Sequence, residues 1–135
     1  MSEERNYGPT ILVVDDFEEI RSGLRLWLEL RGYRVIEAED GQKAIEAAIR
    51  ECPSLILMDL YMPELDGFST LRRIREEASL HDVPVVAVSA YGELGIDAQL
   101  RTNALATGFD EYVAKPFDPD QLEKLINNLL LKNRS

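Results

Sequence analysis

Residues 11–16 read Ile-Leu-Val-Val-Asp-Asp, a run of four apolar residues that ends in two carboxylates. An apolar run this short predicts a buried strand. Asp15 and Asp16 then fall at its carboxyl end, where they could also cap the helix that follows. Residues 55–59, Leu-Ile-Leu-Met-Asp, repeat the pattern. Two strands of this chain are therefore predicted to end in acidic side chains.

Apolar runs alternate with helical patterns along the rest of the chain. Strands are predicted at residues 11–14, 33–38, 55–58, 83–88 and 109–114. Between and after them, apolar residues recur near the 3.6-residue period of amphipathic helices. These predicted inner faces are Phe17, Ile20, Leu24, Trp27 and Leu28; Ala44, Ile45, Ala48 and Ile49; Phe68, Leu71, Ile74 and Ala78 after a cap at Asp66; a weaker stretch at 93–107; and Leu122, Leu125, Ile126, Leu129 and Leu130.

Five strand–helix units with short connections predict an α/β fold with a parallel sheet covered on both faces. The first, third and fourth strands are almost wholly apolar, which favours central positions. The second strand carries Arg34 and Glu37 and the fifth carries Asp110 and Glu111, as expected of edges. The predicted architecture is a flavodoxin-like doubly wound (βα)5 fold of strand order 2-1-3-4-5. We expect residues 10–131 to form the domain, with a loosely ordered segment at 1–9 and a tail at 132–135.

Composition limits the classes of function. The 135 residues carry a formal charge of −10, which argues against direct binding to nucleic acid. Cys52 is the only cysteine and His81 the only histidine, so disulfides and Cys/His zinc sites are excluded. The sequence contains neither a signal-peptide pattern nor an apolar run long enough to span a bilayer, which predicts a cytoplasmic protein with no membrane partner.

Polar side chains follow four of the predicted strands. Asp15 and Asp16 follow the first, Asp59 the third, Ser89 the fourth and Lys115 the fifth. In an open α/β sheet, ligands bind beyond the carboxyl ends of the strands, where the winding reverses. Each residue alone could be a helix cap, a turn or a surface residue, but their coincidence at one end of the sheet favours a site.

The chemistry of these residue types is that of a phosphoryl acceptor. Three carboxylates held close together repel each other, and a hard divalent cation such as Mg²⁺ relieves the repulsion. A carboxylate in that setting can act as a nucleophile and form an aspartyl-phosphate. A lysine and a hydroxyl can then bind phosphoryl oxygens, so the sequence supplies every part of such a site.

Four segments together resemble the receiver domain of bacterial-type response regulators. They are Ile-Leu-Val-Val-Asp-Asp at 11–16, Leu-Met-Asp-Leu-Tyr-Met-Pro-Glu-Leu-Asp-Gly at 57–67, Val-Ala-Val-Ser-Ala at 86–90 and Gly-Phe-Asp-Glu-Tyr-Val-Ala-Lys-Pro-Phe at 108–117. The resemblance extends from about residue 10 to residue 130. Only five residues follow Leu130, so the chain is either a stand-alone receiver or a domain cut from a longer regulator or hybrid kinase. The start at Met1 favours the former.

The resemblance implies that Asp59 accepts a phosphoryl group from a histidine kinase or a histidine phosphotransfer protein. Asp16, Asp59 and the backbone carbonyl of Tyr61 would bind Mg²⁺ directly, and Asp15 would act mainly through bound water. Such a protein is a signalling switch that assists its own phosphorylation and dephosphorylation, rather than an enzyme with a separate substrate.

The resemblance also assigns roles at the other strand ends. Ser89 would hydrogen-bond the phosphoryl group, and Lys115 would pair with it, aimed by a cis peptide bond to Pro116. Tyr112 matches the family's switch aromatic, which turns inward when the Ser89 hydroxyl moves; it could instead be an edge-strand tyrosine packed on the last helix. The surface formed by residues 93–107, 109–114 and the final helix would bind a downstream protein, and the chain would be a monomer or a phosphorylation-dependent homodimer.

Two features depart from the commonest family pattern. Ser89 stands where threonine is more frequent, but the hydroxyl is retained. Tyr61 and Tyr91 each lie two residues beyond a site residue and could shield the phosphoryl group from water, which predicts slow autodephosphorylation unless both rings lie flat on the surface.

Three other functions share this fold or this chemistry. A haloacid-dehalogenase-type enzyme would need an aspartate where Tyr61 stands, together with a cap domain. A flavodoxin-like redox protein would need a phosphate-binding loop where Asp15 and Asp16 stand. The alternative that stays open is a receiver-fold interaction module that acts without phosphorylation.

Overall fold

The computed structural model describes residues 8–60, 62, 65–89, 96–115 and 117–132. Strands and helices alternate through these residues. The strands are β1 (Thr10–Val14), β2 (Arg34–Ala38), β3 (Leu55–Asp59), β4 (Val85–Ser89) and β5 (Glu111–Ala114). The α-helices are α1 (Glu18–Leu30), α2 (Gly41–Glu51), α3 (Gly67–Glu76), α4 (Ile96–Thr107) and α5 (Pro119–Lys132), and a short 3-10 turn covers Ala78–Leu80.

The five strands form one parallel sheet of order β2-β1-β3-β4-β5. Every residue of β3 and β4 is buried, whereas β2 and β5 contain partly exposed positions. The predicted fold class and strand order are confirmed. Because β1 pairs with both β2 and β3, the winding reverses between β1 and β3, which places a cleft at their carboxyl ends.

Two apolar clusters cover the two faces of the sheet. Alternate β1 side chains serve opposite faces, as the two-residue period of a strand requires. Ile11 and Val13 pack with α1 and α5, and Leu12 and Val14 pack with α2, α3 and α4. Trp27 is partly buried in the α1 and α5 cluster, as predicted, and the Arg31 guanidinium lies 4.7 Å from its ring centroid.

The beginning of α1 differs from the sequence prediction. The helix starts at Glu18 with Phe17 at the N-cap, and no side chain caps it, so neither Asp15 nor Asp16 is a helix cap. Phe17 has an extended backbone there, and its side chain is 64% exposed instead of buried. Ile20, one turn later, is also exposed. The predicted apolar face of α1 therefore begins only at Leu24.

Two other predicted core residues are exposed. The backbone of Glu77 is extended, so α3 ends at Glu76 and Ala78 falls in the 3-10 turn, outside the apolar face of the helix. Ile49 lies at the margin of an α2 face centred on Ala44 and Ala48 and remains exposed.

Several helix ends follow their sequence signals. The predicted cap at Asp66 is confirmed, since its carboxylate accepts a hydrogen bond of 2.8 Å from the N–H of Ser69. Gly32 and Gly108 follow the ends of α1 and α4 with positive φ of 94° and 126°, a conformation that favours glycine. None of the described helices is both long and apolar enough to cross a membrane.

Candidate functional site

The cleft at the carboxyl ends of β1 and β3 brings the three predicted carboxylates together. Oxygen atoms of Asp15, Asp16 and Asp59 all lie within 4.8 Å of one another. Asp15 is 2% exposed and Asp59 7% exposed, whereas Asp16 faces solvent. We call this group the acidic cluster. Carboxylate oxygens that converge at this distance, with one side open to water, are a donor set that fits Mg²⁺.

A lysine from the fifth strand end reaches the same cluster. Lys115 Nζ lies 2.7 Å from Asp15 Oδ2, and both side chains are largely buried. The backbone N–H of Lys115 donates to the carbonyl of Ser89 over 2.7 Å, which ties the end of β5 to the end of β4. The lysine therefore offsets part of the negative charge of the acidic cluster.

Ser89 completes the set of predicted strand-end residues. It is the last residue of β4 and is fully buried. In the sheet register it pairs with Ala114, one residue before Lys115, while Asp59 pairs with Val88. The order of the strands thus places Asp59, Ser89 and Lys115 at the same edge of the sheet.

Leu60, the residue directly after β3, lies in close backbone contact with β4 and with the start of α3. The N–H of Leu60 donates to Val88, and the carbonyl of Leu60 accepts from Gly67 over 3.1 Å. A β-carbon at Gly67 would lie 2.7 Å from the Asp59 carbonyl oxygen, closer than packing allows. Gly67 therefore permits the helix to approach the residue that carries the central carboxylate, a role that sequence reasoning did not assign to it.

Two hydrogen bonds accepted by Asp15 hold the turn between β1 and α1. Asp15 Oδ1 accepts from the N–H of Phe17 over 2.9 Å, and the Asp15 carbonyl accepts from Arg21 Nη1 over 2.7 Å. Arg21 also binds Glu37 of β2. Sequence reasoning missed Arg21 because no periodicity or motif shows which backbone atom a long side chain reaches.

Glu37 has a shifted pKa. Burial acts to raise the pKa of this carboxyl, but hydrogen bonds and charge attraction from Arg25 and Arg21 outweigh burial and hold it below its usual value. Glu37 is therefore ionised at neutral pH.

Tyr112 of β5 is buried. It belongs to the apolar cluster on the side of the sheet covered by α2, α3 and α4, together with Leu100 and Ala104. Tyr112 therefore packs with residues of α4, and its role as the switch aromatic stays a prediction. The remaining predicted site residues, Tyr61, Tyr91 and Pro116, lie outside the described residues, and so does the predicted cis peptide bond between Lys115 and Pro116.

The match to a known family is extensive. A family model described as the response regulator receiver domain matches residues 11–127. The chain therefore belongs to the receiver-domain family of response regulators in two-component systems.

Particular relatives are whole regulators of greater length. The chain is 40% identical over 120 residues to the probable transcriptional regulator ycf27 of Porphyridium aerugineum, covering 89% of this chain and 47% of that protein. It is 34% identical over 127 residues to the response regulator Rre1 of Synechocystis sp., covering 93% and 53% respectively. The chain thus spans about half the length of these curated relatives.

A solved structure shows the same arrangement of the chain. The receiver domain of sensor histidine kinase PA1611 from Pseudomonas aeruginosa PAO1, solved with a magnesium ion coordinated in its active site cleft, is 34% identical with a TM-score of 0.80. The match covers 91% of this chain and 98% of the PA1611 receiver domain.

Proposed function

We propose that this receiver domain accepts a phosphoryl group on Asp59 from a histidine kinase or a histidine phosphotransfer protein, in a reaction that requires Mg²⁺. The observation that carries the proposal is the acidic cluster itself, three carboxylates within 4.8 Å with a lysine 2.7 Å from one of them. Three like charges this close together destabilise the folded protein unless a bound cation neutralises them.

The proposed transfer is a displacement at phosphorus. An oxygen of Asp59 forms a bond to phosphorus as the P–N bond of the donor's phosphohistidine breaks. The electron pair of that bond stays with the donor ring, which leaves as neutral imidazole when its other nitrogen is protonated. Asp59 suits the role of nucleophile because it lies within the cleft at the end of a central strand.

The acidic cluster and one backbone carbonyl would hold the cation in this proposal. Asp16, Asp59 and the carbonyl of Tyr61 would bind Mg²⁺ directly, and Asp15 would act through bound water. The cation would neutralise negative charge on the transferring oxygens. The hydroxyl of Ser89 donates to a phosphoryl oxygen, and Lys115 exchanges its contact with Asp15 for the new phosphoryl group.

Two exposed apolar side chains close to the cluster in sequence support docking of a protein donor. Phe17 at the N-cap of α1 and Ile20 in its first turn both face solvent. Exposed apolar side chains that form a contiguous patch mark protein–protein contacts, and these two residues lie about one helical turn apart. The partner proposed here is the histidine-containing phosphodonor.

The proposed output is a change of the face formed by α4, β5 and α5. Lys115 and Ser89 lie at the ends of β5 and β4, and Tyr112 is buried between β5 and α4. Movement of the Ser89 hydroxyl and of Lys115 toward a phosphoryl group would therefore act on the packing of this face. A downstream protein reads that change, and a homodimer formed on phosphorylation would use the same face.

Other parts of the proposal rest on composition and family. A chain of formal charge −10 is proposed to act in the cytoplasm, as a switch instead of a classical enzyme, without binding nucleic acid itself. The domain is proposed to span residues 10–131. Slow loss of the phosphoryl group, from shielding by Tyr61 and Tyr91, remains a prediction.

Hydrogen–deuterium exchange tests the switch. The protein is compared before and after treatment with an acyl phosphate and Mg²⁺, alongside Asp59→Asn and the exposed control Asp66→Asn. We expect altered exchange in α4, β5 and α5 for the wild type and for Asp66→Asn, and none for Asp59→Asn. Phosphorylation without any change in this face would contradict the switch and favour an interaction module that acts without phosphorylation.

A further inference from the structure

A series of charge-assisted hydrogen bonds from two arginines joins the acidic cluster to β2 at the edge of the sheet. Arg21 Nη1 donates to the carbonyl oxygen of Asp15 over 2.7 Å, and Arg21 Nε donates to Glu37 Oε1 over 2.8 Å. The second oxygen of Glu37 accepts from Arg25 Nη1 over 2.8 Å. The Arg21 and Glu37 side chains are only 12% and 21% exposed, so solvent weakens these bonds less than it weakens surface pairs.

Every polar group of Asp15 is held from a different direction. Its N–H donates to the Ala38 carbonyl, its Oδ1 accepts from Phe17 and its Oδ2 contacts Lys115. Its carbonyl oxygen is held by Arg21. No side chain caps the start of α1. The hydrogen bond from Arg21 instead ties the turn that carries Asp15 and Asp16 to the body of the helix.

We propose that Arg21, itself held by Glu37, is a positioning residue that fixes the Asp15–Asp16 turn in the geometry that binds Mg²⁺. This inference rests on the proposed function, since it concerns the same cation. Arg21 acts through the backbone of Asp15 and touches neither the cation nor the phosphoryl group. Groups that orient metal ligands in this way commonly govern metal affinity.

The sign of one effect separates positioning from simple electrostatics. A positive charge near the acidic cluster repels a divalent cation, so loss of Arg21 should tighten Mg²⁺ binding if charge were its only contribution. Loss of an anchor should weaken binding, because the carboxylates must then be ordered when the cation arrives. A purely structural contact would lower the free energy of unfolding and leave Mg²⁺ affinity unchanged.

The test is a titration with Mg²⁺ alone, followed by the amide chemical shifts of the ¹⁵N-labelled protein. The wild type is compared with Arg21→Met, Arg21→Lys and Glu37→Gln. We expect Arg21→Met to weaken Mg²⁺ binding by about tenfold, the lower end of what loss of an outer partner costs a metal site. Glu37→Gln keeps the Arg21 charge but loosens its anchor, so we expect weaker binding there as well, and Arg21→Lys should retain part of the affinity.

Arg25→Met is the matched control. It removes one positive charge from the same network, but Arg25 contacts Glu37 and Glu29 and not Asp15. We expect its Mg²⁺ affinity to stay within about twofold of the wild type, because only long-range charge changes. The spectra also report whether each variant is folded. If Arg21→Met is not, Arg21→Lys carries the test, because it keeps the positive charge and a loss of Mg²⁺ affinity then comes from the altered contact with Asp15.

Two outcomes would overturn the inference, and they are distinguishable. Mg²⁺ binding to Arg21→Met and Glu37→Gln that equals or exceeds the wild-type affinity would show that Arg21 does not position the turn, with the proposed function intact. A wild-type protein that binds no Mg²⁺ would contradict the proposed function and this inference together.

Discussion

Asp15 shows how folding and site chemistry oppose each other at a single residue. Its carboxylate is 2% exposed and lies beside two others, an arrangement that is unfavourable without a counter-ion. Lys115 supplies that counter-ion over 2.7 Å. In the proposed switch the lysine later pairs with a phosphoryl group, so one side chain stabilises the fold and takes part in the response.

Lys115→Met tests this balance. Removing the lysine leaves the buried Asp15 carboxylate without its cation, so we expect the free energy of unfolding to fall by about 1–3 kcal/mol in the absence of Mg²⁺. Mg²⁺ should restore more stability to this variant than it adds to the wild type. Urea unfolding with and without Mg²⁺ measures both quantities.

Lys43→Met is the control for that experiment. Lys43 forms an exposed i,i+4 pair with Glu39, and because solvent screens such pairs we expect Lys43→Met to unfold close to the wild type. Equal stability of Lys115→Met and the wild type would mean that the ion pair contributes nothing to the fold.

Glu37 makes a pH-dependent contribution to stability. Its pKa is lower in the folded protein, because Arg25 and Arg21 outweigh the effect of burial. The stabilisation is therefore fully present above the unfolded pKa of about 4.3 and is lost as the pH falls through the lower folded value. We expect the difference in unfolding free energy between the wild type and Glu37→Gln to be largest near neutral pH and to narrow below about pH 4. A difference that stays constant or grows between pH 7 and pH 3 in urea unfolding would contradict this assignment.

Strand-end residues were predictable, whereas contacts between distant residues were not. Asp15, Asp59, Ser89 and Lys115 could be found because each follows an apolar run, and parallel strands bring such positions to one edge. The anchoring role of Arg21 depends on the length and direction of a side chain that spans α1 and β2, which no sequence period encodes.

At the scale of elements, the apolar content of the strands predicted their positions in the sheet better than helical periodicity predicted the ends of the helices. The apolar runs of β1, β3 and β4 correctly predicted central strands, because a strand buried on both faces needs apolar residues at every position. Helix ends were less predictable. The sequence prediction places the start of the inner face of α1 at Phe17, which is wrong. The turn that carries the two aspartates delays the start of the helix to Glu18.

Gly67 at the start of α3 gives a test at this scale. A β-carbon there would lie 2.7 Å from the Asp59 carbonyl and 2.9 Å from the Leu60 Cα, and backbone atoms cannot yield as side chains do. We expect Gly67→Ala to lower the free energy of unfolding by about 1–3 kcal/mol, the usual cost of overpacking. Urea unfolding measures the change.

Gly23→Ala in α1 is the matched control. A β-carbon at Gly23 would meet no atom within 4 Å, and alanine favours a helix over glycine by about 0.8–1.0 kcal/mol. The two substitutions should therefore shift stability in opposite directions. A stabilising Gly67→Ala would mean that the approach of α3 to Asp59 is not close.

At the scale of the whole molecule, negative charge is concentrated at the mouth of the cleft in a chain of formal charge −10. The sequence composition provides the total charge, and the strand ends predict that three carboxylates converge; the structure adds the distance of 4.8 Å within which they lie. This concentration should destabilise the metal-free protein as a whole.

Asp59→Asn should relieve that repulsion. We expect its Tm without Mg²⁺ to rise by about 3–6 °C, which corresponds to roughly 1 kcal/mol for a domain of this size. The increase in Tm that Mg²⁺ gives the wild type should be much smaller in the variant. Glu76→Gln makes the same change of charge at an exposed position of α3, and it should neither raise the Tm nor reduce the effect of Mg²⁺. A Tm of Asp59→Asn below that of the wild type would contradict repulsion among the three carboxylates.

The measurement that tests the central claim most directly is the intact mass of the protein after incubation with a small acyl phosphate, with and without Mg²⁺. The account predicts one added phosphoryl group that requires Mg²⁺, is present in Asp66→Asn and is absent in Asp59→Asn. An adduct that forms equally well without Mg²⁺ or in Asp59→Asn would contradict it, as would the absence of any adduct in the wild type with Mg²⁺ present.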